Sequence, residues 1–565
     1  MISRFRSKVR FRHSMARTCQ LGIERLEDRR VLSADFGSAF AVGPGANGYD
    51  ISKDAAGNTL VLGMLTTPGG ATGLTVDVDP GPGTANLTQI PGGENLFVVK
   101  YDSVGNFQWV TRMGGGIGNS FGPRLAVAAD GAVLVAGNFS NTTTFGSTTL
   151  VSQGNEDPFV AKLDASGNIL WANRLTSSSG SEYANAVAID SAGNAFVIGD
   201  IPSNASDTFI TKLDPAGTQI WTKQFGRSSS GRNGGWARGY EITVDSVGNV
   251  YATGRQGGTV DFDAGPGVTS SAGEGFVLKM TGGGSVVWAK SFAKQGSLGT
   301  TEPQGIAVDG AGNVYTAGTF WAGMDFDPGK SKYTLTSNGG YALYISKLDA
   351  AGNFAWAKMA GGPSDDFARG LALDAAANVY VTGTFGGTVD FDPSAGVYNL
   401  TSAGAGDIVV WKLTSSGSFD WAAGMGGTGG DEGRGIAVDG SGNVFTTGGI
   451  AAGPADFDPS PTSTYTLTGL ALFVSKLTQT APLAMALTAE PQTATTTERE
   501  VSSPPIVPTG SSDPTSQPTA PGQLLMPTKP SAKSNSADAA LAQADENWLD
   551  SVLEDDLLLD LVAAR

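Results

Sequence analysis

Asp309-Gly-Ala-Gly-Asn313 and Asp349-Ala-Ala-Gly-Asn353-Phe-Ala-Trp356 are the two stretches of sequence that decide the fold. The first lies between Ile306-Ala-Val308 and Val314-Tyr-Thr-Ala-Gly318, and the second leads directly into a tryptophan. An aspartate can bond its own backbone two residues on, and a glycine takes the left-handed conformation that ends a type I turn and returns the chain to a strand. Each stretch therefore predicts a β-hairpin, and the two together predict a unit of four antiparallel strands.

The same unit recurs along the chain. The first turn recurs at Asp54, Asp190, Asp245, Asp309, Asp374 and Asp439, with a shortened version predicted at Asp130. The second recurs at Asp102, Asp164, Asp214 and Asp349, and is replaced by Met280–Ser285 and Thr414–Ser418 in two units. Tryptophan follows the second turn at Trp109, Trp171, Trp221, Trp288, Trp356 and Trp421. A glycine that closes the second strand recurs at Gly63, Gly137, Gly199, Gly254, Gly318, Gly383 and Gly448.

The spacing of these glycines predicts the architecture. Successive glycines lie between 55 residues (Gly199 to Gly254) and 74 residues (Gly63 to Gly137) apart. Four strands at a period of roughly 60 residues are typical of a propeller blade, although common blade families have periods of ~40–50. The sequence therefore predicts an all-β fold, a seven-bladed β-propeller of four-stranded blades over residues 35–478.

The two ends of this repeat region complement each other. The seventh unit stops after Leu472–Leu477, before a fourth strand, whereas Asp35–Gly43 aligns with the fourth strand Asn353–Gly361 of another unit. The N-terminal strand is therefore predicted to complete the last blade, which leaves no long edge exposed. With these repeats the chain resembles the seven-bladed β-propeller repeat proteins of bacterial surfaces over about residues 35–478. That resemblance implies an architecture and little about chemistry.

Charge and composition exclude several classes of function. The formal net charge of −17 disfavours nucleic acid or an anionic membrane as a partner. The single cysteine, Cys19, excludes an internal disulfide framework, and the single histidine, His13, precedes the repeats. The repeats therefore supply neither a Ser-His-Asp triad nor a histidine-ligated zinc. No run of about 18 apolar residues occurs, so we expect no transmembrane segment.

The chain ends differ from the repeats. Residues 1–34 form a basic leader, in which Ile23–Ala34 resembles the N-terminal export signature of planctomycete extracellular proteins. The resemblance implies an extracellular or cell-surface location; a basic leader without an export role is the alternative. Residues 479–540, rich in Thr, Ser and Pro, predict a disordered linker. Residues 541–565 predict an acidic amphipathic segment that either docks a partner or has no role.

Paired aspartates in the loop between the second and third strands are candidate metal ligands. Two carboxylates spaced by two residues in an extended segment lie on one face, and turn carbonyls could complete an oxygen shell for Ca²⁺. The alternative is an Asx-type turn with the intervening residue packed between blades. The pairs are Asp77 and Asp79, Asp261 and Asp263, Asp325 and Asp327, Asp390 and Asp392, and Asp456 and Asp458.

Charged residues where one blade passes to the next are the candidate ligand-binding rim. The predicted rim residues are Glu182, Glu302, Asp365, Asp366, Arg369, Asp431, Glu432 and Arg434. They could bind sugar hydroxyls, cations or a protein loop, or they could form ion pairs that tie blades together. The recurring tryptophans are predicted to pack against the neighbouring blade. Trp236 and Trp321, predicted to lie in loops, are better candidates for an exposed contact.

The sequence thus favours an extracellular or cell-surface binding or scaffold module that presents the propeller rim to a glycan or protein ligand. No catalytic residue and no certain cofactor is predicted; Ca²⁺ is the one candidate ion. The alternative function is a carbohydrate-active enzyme, a hydrolase or lyase, that uses rim carboxylates.

Overall fold

The computed structural model describes residues 34–66, 73–90, 93–118, 122–175, 180–201, 207–226, 235–263, 270–451 and 453–479. Apart from Ala34 and Gln479, the predicted leader, linker and acidic segment lie outside these residues. The described part of the chain contains strands and no helix, which confirms the all-β prediction. No helix among the described residues has the length and apolar character needed to cross a membrane.

The strands follow the sequence units in order. Strand β1 (Ala34–Pro44) precedes unit 1, which contains β2 (Ala46–Lys53), β3 (Thr59–Leu65), β4 (Thr75–Asp77), β5 (Asn86–Thr88), β6 (Glu94–Tyr101) and β7 (Phe107–Gly118). Unit 2 contains β8 (Arg124–Val127), β9 (Val133–Phe139), β10 (Thr142–Phe145), β11 (Thr148–Val151), β12 (Asp157–Leu163) and β13 (Ile169–Arg174). Unit 3 contains β14 (Tyr183–Ile189), β15 (Ala195–Ile201), β16 (Asp207–Leu213) and β17 (Gln219–Phe225).

The later units repeat this order. Unit 4 contains β18 (Trp236–Val244), β19 (Val250–Gly257), β20 (Thr259–Asp261), β21 (Ser270–Ala272), β22 (Gly275–Met280) and β23 (Val286–Lys294). Unit 5 contains β24 (Thr300–Val308), β25 (Val314–Trp321), β26 (Gly323–Asp325), β27 (Thr334–Thr336), β28 (Ala342–Leu348) and β29 (Phe354–Ala360). Unit 6 contains β30 (Phe367–Leu373), β31 (Val379–Phe385), β32 (Thr388–Asp390), β33 (Asn399–Thr401), β34 (Asp407–Leu413) and β35 (Phe419–Gly427). Unit 7 contains β36 (Glu432–Val438), β37 (Val444–Ile450), β38 (Pro454–Asp456), β39 (Thr466–Thr468) and β40 (Ala471–Gln479).

Each unit contains one antiparallel sheet of four long strands, here called its first to fourth strands. In units 1 to 6 these strands pair in chain order, and in units 1, 2, 4, 5, 6 and 7 a short hairpin lies between the second and third strands. In unit 7 the first three strands are β36, β37 and β40, and β1 pairs with β40 as the fourth. The segment predicted to complete the last unit therefore lies beside that unit's third strand.

The turns have the predicted geometry. The Asp309 amide donates to the Asn313 carbonyl (3.0 Å), and the Gly312 amide donates back to the Asp309 carbonyl (2.9 Å). The Asp309 side chain accepts hydrogen bonds from the amides of Ala311 and Asn313, both at 2.9 Å. A local hydrogen-bond network of five residues thus sets each hairpin.

Two details of the sequence-based prediction are wrong. The turn near Asp130 is not shortened: it spans Ala128–Ala132 with the usual backbone hydrogen bonds, so Ala128 occupies the aspartate position. Trp236 and Trp321 do not lie in loops, because Trp236 begins β18 and Trp321 ends β25, and these strand ends pair with neighbouring strands.

The hydrophobic core lies between neighbouring sheets. One cluster joins units 1 and 2 through residues such as Leu62, Val98 and Val135. The other clusters join units 2 and 3, 3 and 4, 4 and 5, 5 and 6, and 6 and 7. A further cluster joins unit 7 to unit 1, where Val474 and Leu472 are clustered with Val61 and other residues of unit 1. Each sheet is therefore stabilised by apolar burial against the sheets on its two sides.

Candidate functional site

A β-bulge recurs in the first strands of six units. The pairing of first and second strands skips one residue at each bulge, and the skipped residues are Tyr49, Asn185, Tyr240, Gln304, Arg369 and Arg434. The short first strand of unit 2 pairs without this shift. A bulge re-aims the side chains beside it and is frequent next to functional sites. The repeated bulge therefore gives the first strands a common point at which variable side chains leave the ladder.

The first strands of all units line one cavity of about 360 Å³, here called the first-strand cavity. Its charged lining residues are Asp50, Arg124, Glu241, Arg369 and Arg434. The remainder of the lining includes small and aliphatic residues such as Gly305 and Ile306. The volume lies at the lower end of the range of about 300–1,000 Å³ found for ligand pockets. A few charged groups thus converge on a space that fits a small chemical group.

Arg124 stands between the two carboxylates of this cavity. Its Nε lies 3.6 Å from Glu241 Oε2. Asp50 Oδ2 accepts a hydrogen bond from the Leu125 amide (2.9 Å), the residue that follows the arginine. Asp50 Oδ1 accepts one from the Ile51 amide (2.8 Å). Asp50 therefore joins the first strands of units 1 and 2 and is already held by two backbone donors.

The other two arginines lie on adjacent units and contact aromatic rings. Arg434 Nη2 lies 3.0 Å from Glu432 Oε2, and the guanidinium carbon lies 4.7 Å from the centre of the Tyr49 ring. The Arg369 guanidinium carbon lies 5.6 Å from the centre of the Phe367 ring. Arg369 Nε is buried, and no described residue accepts a hydrogen bond from it. Arg369 thus lines the cavity with one of its donors lacking a described acceptor.

The surroundings shift the proton affinities of the acids in opposite directions. Burial raises the pKa of Glu241 to about 7, with Asp50 adding to the rise and Arg124 opposing it. Burial also raises the pKa of Asp50 against the opposing effect of Arg124. At Glu432 burial acts upward as well, but Arg434 and Arg369 outweigh it and lower the pKa. Near neutral pH the carboxyl group of Glu241 is therefore only partly ionised, whereas that of Glu432 stays ionised.

Asp366 and Asp431 of the predicted rim are fully buried and bonded to the backbone. Asp366 accepts hydrogen bonds from the amides of Gly362 (2.8 Å) and Gly386 (2.9 Å). Asp431 accepts them from the amides of Gly427 and Ala451, both at 2.8 Å. Each carboxylate therefore ties the connection that enters a unit to the loop after that unit's second strand.

The remaining predicted rim residues have different surroundings. Glu182 is buried, and Glu302 lies 3.7 Å from Arg255 in a mostly buried ion pair. Asp365 is exposed and accepts a hydrogen bond from the Tyr341 amide at 3.0 Å. Arg369 and Arg434 line the first-strand cavity, and Glu432 pairs with Arg434.

Three cavity residues were missed by the sequence analysis: Asp50, Arg124 and Glu241. A signal for them does exist. Four residues before the turn aspartate, four units carry Gly or Ala, as at Gly305 and Ala186, whereas Asp50 and Glu241 place a charge there. Arg124 takes the same position once the turn is recognised to begin at Ala128. A charged residue in place of the usual Gly or Ala at this position of the first strand could therefore have marked these three residues as candidates.

Stability should rise as the pH falls from about 8 to about 5. Burial raises the folded-state pKa of Glu241 and Asp200 to about 7 and of Asp366 to about 6, so the folded chain takes up these protons before the unfolded chain does. Below about pH 4 the trend should reverse, because the Asn106 amide lowers the pKa of the turn residue Asp102 and protonation then removes that interaction.

The measurement is the melting temperature across this pH range. The double variant Asp200→Asn with Glu241→Gln should lose most of the gain between pH 8 and pH 6. A melting temperature of the native chain that rises from pH 6 to pH 8 would contradict the assignment of these raised pKa values.

The paired aspartates form Asx-type turns. The first carboxylate of each pair accepts a hydrogen bond from the amide of the second aspartate at 3.0–3.1 Å. In four pairs the same oxygen also accepts the amide of Ala85, Tyr333, Tyr398 or Tyr465. The intervening Phe262, Phe326, Phe391 and Phe457 are fully buried. The motif therefore has a structural role: the first aspartate closes the loop through hydrogen bonds, and the phenylalanine fixes it by burial.

Calcium binding by these loops stays a prediction. Among the described residues, no group of three or more Asp, Glu, His or Cys side chains is placed to hold a metal ion, so a site would depend on backbone carbonyls. If the loops bind Ca²⁺, the melting temperature should rise by mass action on going from chelator to millimolar Ca²⁺. Unchanged melting and no calorimetric heat of binding would leave only the turn role.

The recurring tryptophans join consecutive units. The indole N–H donates to a carbonyl in the second turn of the next unit in five cases: Trp109 to Ala165 (3.1 Å), Trp171 to Pro215 (3.1 Å), Trp221 to Gly282 (3.4 Å), Trp288 to Ala350 (3.3 Å) and Trp356 to Ser415 (3.3 Å). The buried Trp421 has no described partner for its N–H. The prediction that these residues pack against the neighbouring unit is confirmed.

Comparisons with known proteins support the same architecture. A family model described as a beta-propeller repeat matches residues 220–255 and 287–319. An uncharacterized WD repeat-containing protein of Acanthamoeba polyphaga mimivirus is 24% identical over 29% of this chain, which spans 13% of that relative.

Solved structures with a related arrangement have low sequence identity. Sqt1 of Chaetomium thermophilum is 10% identical, with 79% of this chain and 98% of that chain covered at a TM-score of 0.39. The β-propeller domain of the Trilobed protease of Pyrococcus furiosus is also 10% identical, with 75% and 98% covered at a TM-score of 0.33. These scores carry no argument about function. The chain is thus similar to β-propeller repeat proteins over residues 220–255 and 287–319, and the four-stranded antiparallel sheets agree with that similarity.

Proposed function

We propose that units 1 to 7 form a closed seven-bladed propeller. Three observations support closure: β1 supplies the fourth strand of unit 7, a hydrophobic cluster joins units 7 and 1, and the first strands of all units line one cavity. Such closure removes the unpaired strand edges that an open array of sheets would expose. The ring then acts as a rigid frame for the residues that line the cavity.

On this frame we assign a binding or scaffold function, with the first-strand cavity as the site for an anionic group. The observation that carries the proposal is that two arginines of adjacent units, Arg369 and Arg434, line this cavity, and Arg369 Nε has no described acceptor. Arginine binds carboxylates through several N–H groups at once, which gives both strength and orientation. The ligand class is therefore a carboxylate-bearing glycan or an acidic protein loop.

Titration calorimetry with an acidic and a neutral oligosaccharide, oligogalacturonate and a cello-oligosaccharide, tests this proposal. We expect the acidic probe to bind and the neutral probe to bind at least tenfold more weakly. Arg369→Gln and Arg434→Gln should each weaken binding of the acidic probe about tenfold or more, because a charged hydrogen bond contributes about 1.5–3 kcal/mol. Higher salt should also weaken it.

The matched control is Arg112→Gln, which removes an exposed arginine on β7 that does not line the cavity. This variant should bind as the native chain does. Equal affinity of the native chain and both cavity variants would overturn the assignment of the site. Melting temperatures of all variants separate a loss of binding from a loss of folding.

A carbohydrate-active enzyme is the second candidate, favoured by the pKa of Glu241 near 7 in the same cavity. A carboxylic acid that stays protonated near neutral pH can serve as a general acid in glycoside cleavage, provided that a second carboxylate stays ionised. Release of product from a polysaccharide panel, abolished by Glu241→Gln, would establish the enzyme in place of the binding module. Binding without turnover would support the module.

We propose an extracellular or cell-surface location from the export-like segment Ile23–Ala34. Residues 1–34 fused to a reporter enzyme should direct it out of a planctomycete host cell. A reporter retained inside the cell would contradict this location. The acidic segment 541–565 is proposed to dock a partner, and loss of surface attachment after its deletion is the corresponding test.

A further inference from the structure

Unit 7 has no aromatic residue at the position of the recurring tryptophan. In units 1 to 6 each tryptophan pairs across the sheet with a third-strand lysine, as Trp356 does with Lys347. In unit 7 the equivalent lysine is Lys476, and its partner on β1 is Ser38. The register is the same in detail, because one residue is skipped between Phe36 and Ser38, as between Phe354 and Trp356.

Elsewhere the tryptophan covers the second turn of the next unit. A Cβ atom added to the turn glycine would lie 2.7 Å from Trp109 at Gly167 and 3.1 Å from Trp288 at Gly352. The indole ring therefore lies directly on that glycine while its N–H bonds a nearby turn carbonyl. Ring, glycine and carbonyl form one repeated contact between neighbouring units.

Between unit 7 and unit 1 the receiving half of this contact is present without its tryptophan. The equivalent glycine is Gly105, and a Cβ added there would have no heavy atom of a described residue within 4 Å. The equivalent carbonyl belongs to Ser103, and no described residue donates a hydrogen bond to it. A cavity of about 300 Å³ lies at this place, lined by Ser38, Ser103 and Gly105 among others.

The aromatic wall of the contact is also retained. In unit 5 the Tyr315 ring packs edge-on against Trp356 at 6.2 Å. Phe445 occupies the Tyr315 position, because it pairs with Lys476 as Tyr315 pairs with Lys347. Phe445 lines the cavity, and the Nζ atoms of Lys53 and Lys476 lie 3.6 Å and 5.4 Å from the centre of its ring. The cavity therefore keeps an aromatic face, a backbone acceptor and an open glycine.

We propose that this cavity, the indole slot, binds a tryptophan side chain of a partner protein. Its chemistry is specified by five contacts within the same molecule, in which an indole ring bonds a turn carbonyl. Tryptophan combines a large apolar surface with one hydrogen-bond donor, and it is frequent among residues that dominate binding energy at interfaces. The indole N–H donates to the Ser103 carbonyl, and the ring packs against Gly105 and Phe445.

The test uses 5-fluoroindole as the probe and ¹⁹F NMR as the readout, with the full chain at increasing concentration. We expect saturable binding in the millimolar range, with nuclear Overhauser contacts from the probe to the Val104 methyl groups beside the slot. The N-methylated probe, which has no N–H donor, should bind several-fold more weakly. N-acetyltryptophanamide should compete, and N-acetylphenylalaninamide should compete several-fold less well.

Ser38→Trp should fill the slot from within, raise the melting temperature and reduce probe binding at least tenfold. Ala355→Trp is the matched control, since it adds an exposed tryptophan beside Trp356, where the slot is already filled; it should leave probe binding unchanged. Should Ser38→Trp fail to fold, the contacts to Val104 in the native chain decide. Absence of saturable binding, or equal binding by both variants, overturns the proposal. Concentration-dependent self-association of the native chain that Ser38→Trp abolishes overturns the partner assignment in favour of a second copy.

Discussion

Deletion of residues 34–44 is expected to abolish cooperative folding or to lower the melting temperature by more than about 10 °C. The deletion removes β1, which pairs with β40 along its length, and it removes the buried side chains of Ala39 and Val42. Without β1, the N–H and C=O groups along one side of β40 lose their partners, and an exposed strand edge of this kind promotes aggregation. The measurements are thermal unfolding and light scattering.

Two further truncations serve as controls. Removal of residues 1–33 leaves β1 complete, and removal of residues 481–565 leaves Gln479, whose side chain bonds the Tyr380 hydroxyl (2.8 Å) and the Gly442 carbonyl (2.7 Å). Both truncated chains should melt within a few degrees of the full chain. A chain without residues 34–44 that unfolds as the native chain does would refute the closing role of β1.

Asp431→Ala and Asp366→Ala should be the two most destabilising single substitutions among the charged residues of the predicted rim. Asp431→Ala leaves the buried amide of Gly427 and the partly buried amide of Ala451 without their acceptor, and an unpaired buried group costs about 1–3 kcal/mol. The expected loss in the free energy of unfolding is about 2–4 kcal/mol, because removing a buried carboxylate offsets part of the cost. Denaturant unfolding measures it.

Asp365→Ala is the matched comparison, because Asp365 is exposed and accepts one backbone hydrogen bond. Its effect should stay below about 1 kcal/mol. Comparable losses for the two variants would show that the bonds of Asp431 to the backbone do not stabilise the fold as proposed. Asp431→Asn, which keeps one acceptor oxygen, should fall between the two.

The structural role of the buried aspartates also affects how variants of the predicted rim are interpreted. A loss of ligand binding in an Asp366 or Asp431 variant would follow from damage to the connections between strands, since both carboxylates are buried and bonded to backbone amides. Arg369 and Arg434 are the informative positions, because they line the first-strand cavity. Variants of the arginines therefore test ligand binding, and variants of the aspartates test stability.

The sequence by itself determined the hairpins, the four-stranded repeat and the role of the tryptophans. Each of these features depends on local contacts that recur in the repeated units. The turn at Asp309, for example, is closed by hydrogen bonds within five residues. The same periodicity placed Asp35–Gly43 as a fourth strand, and β1 occupies that position beside β40.

Only the tertiary structure decided which side chains meet. Asp50, Arg124 and Glu241 are far apart in the chain and converge because the first strands of different units line one cavity. The bulge that precedes Glu241 and Gly370 depends on pairing with the second strand, so local sequence patterns did not indicate it. The indole slot likewise combines Ser38, Ser103 and Phe445 from both ends of the repeat region. Such sites depend on positions where the repeat is broken, and only packing between units brings those positions together.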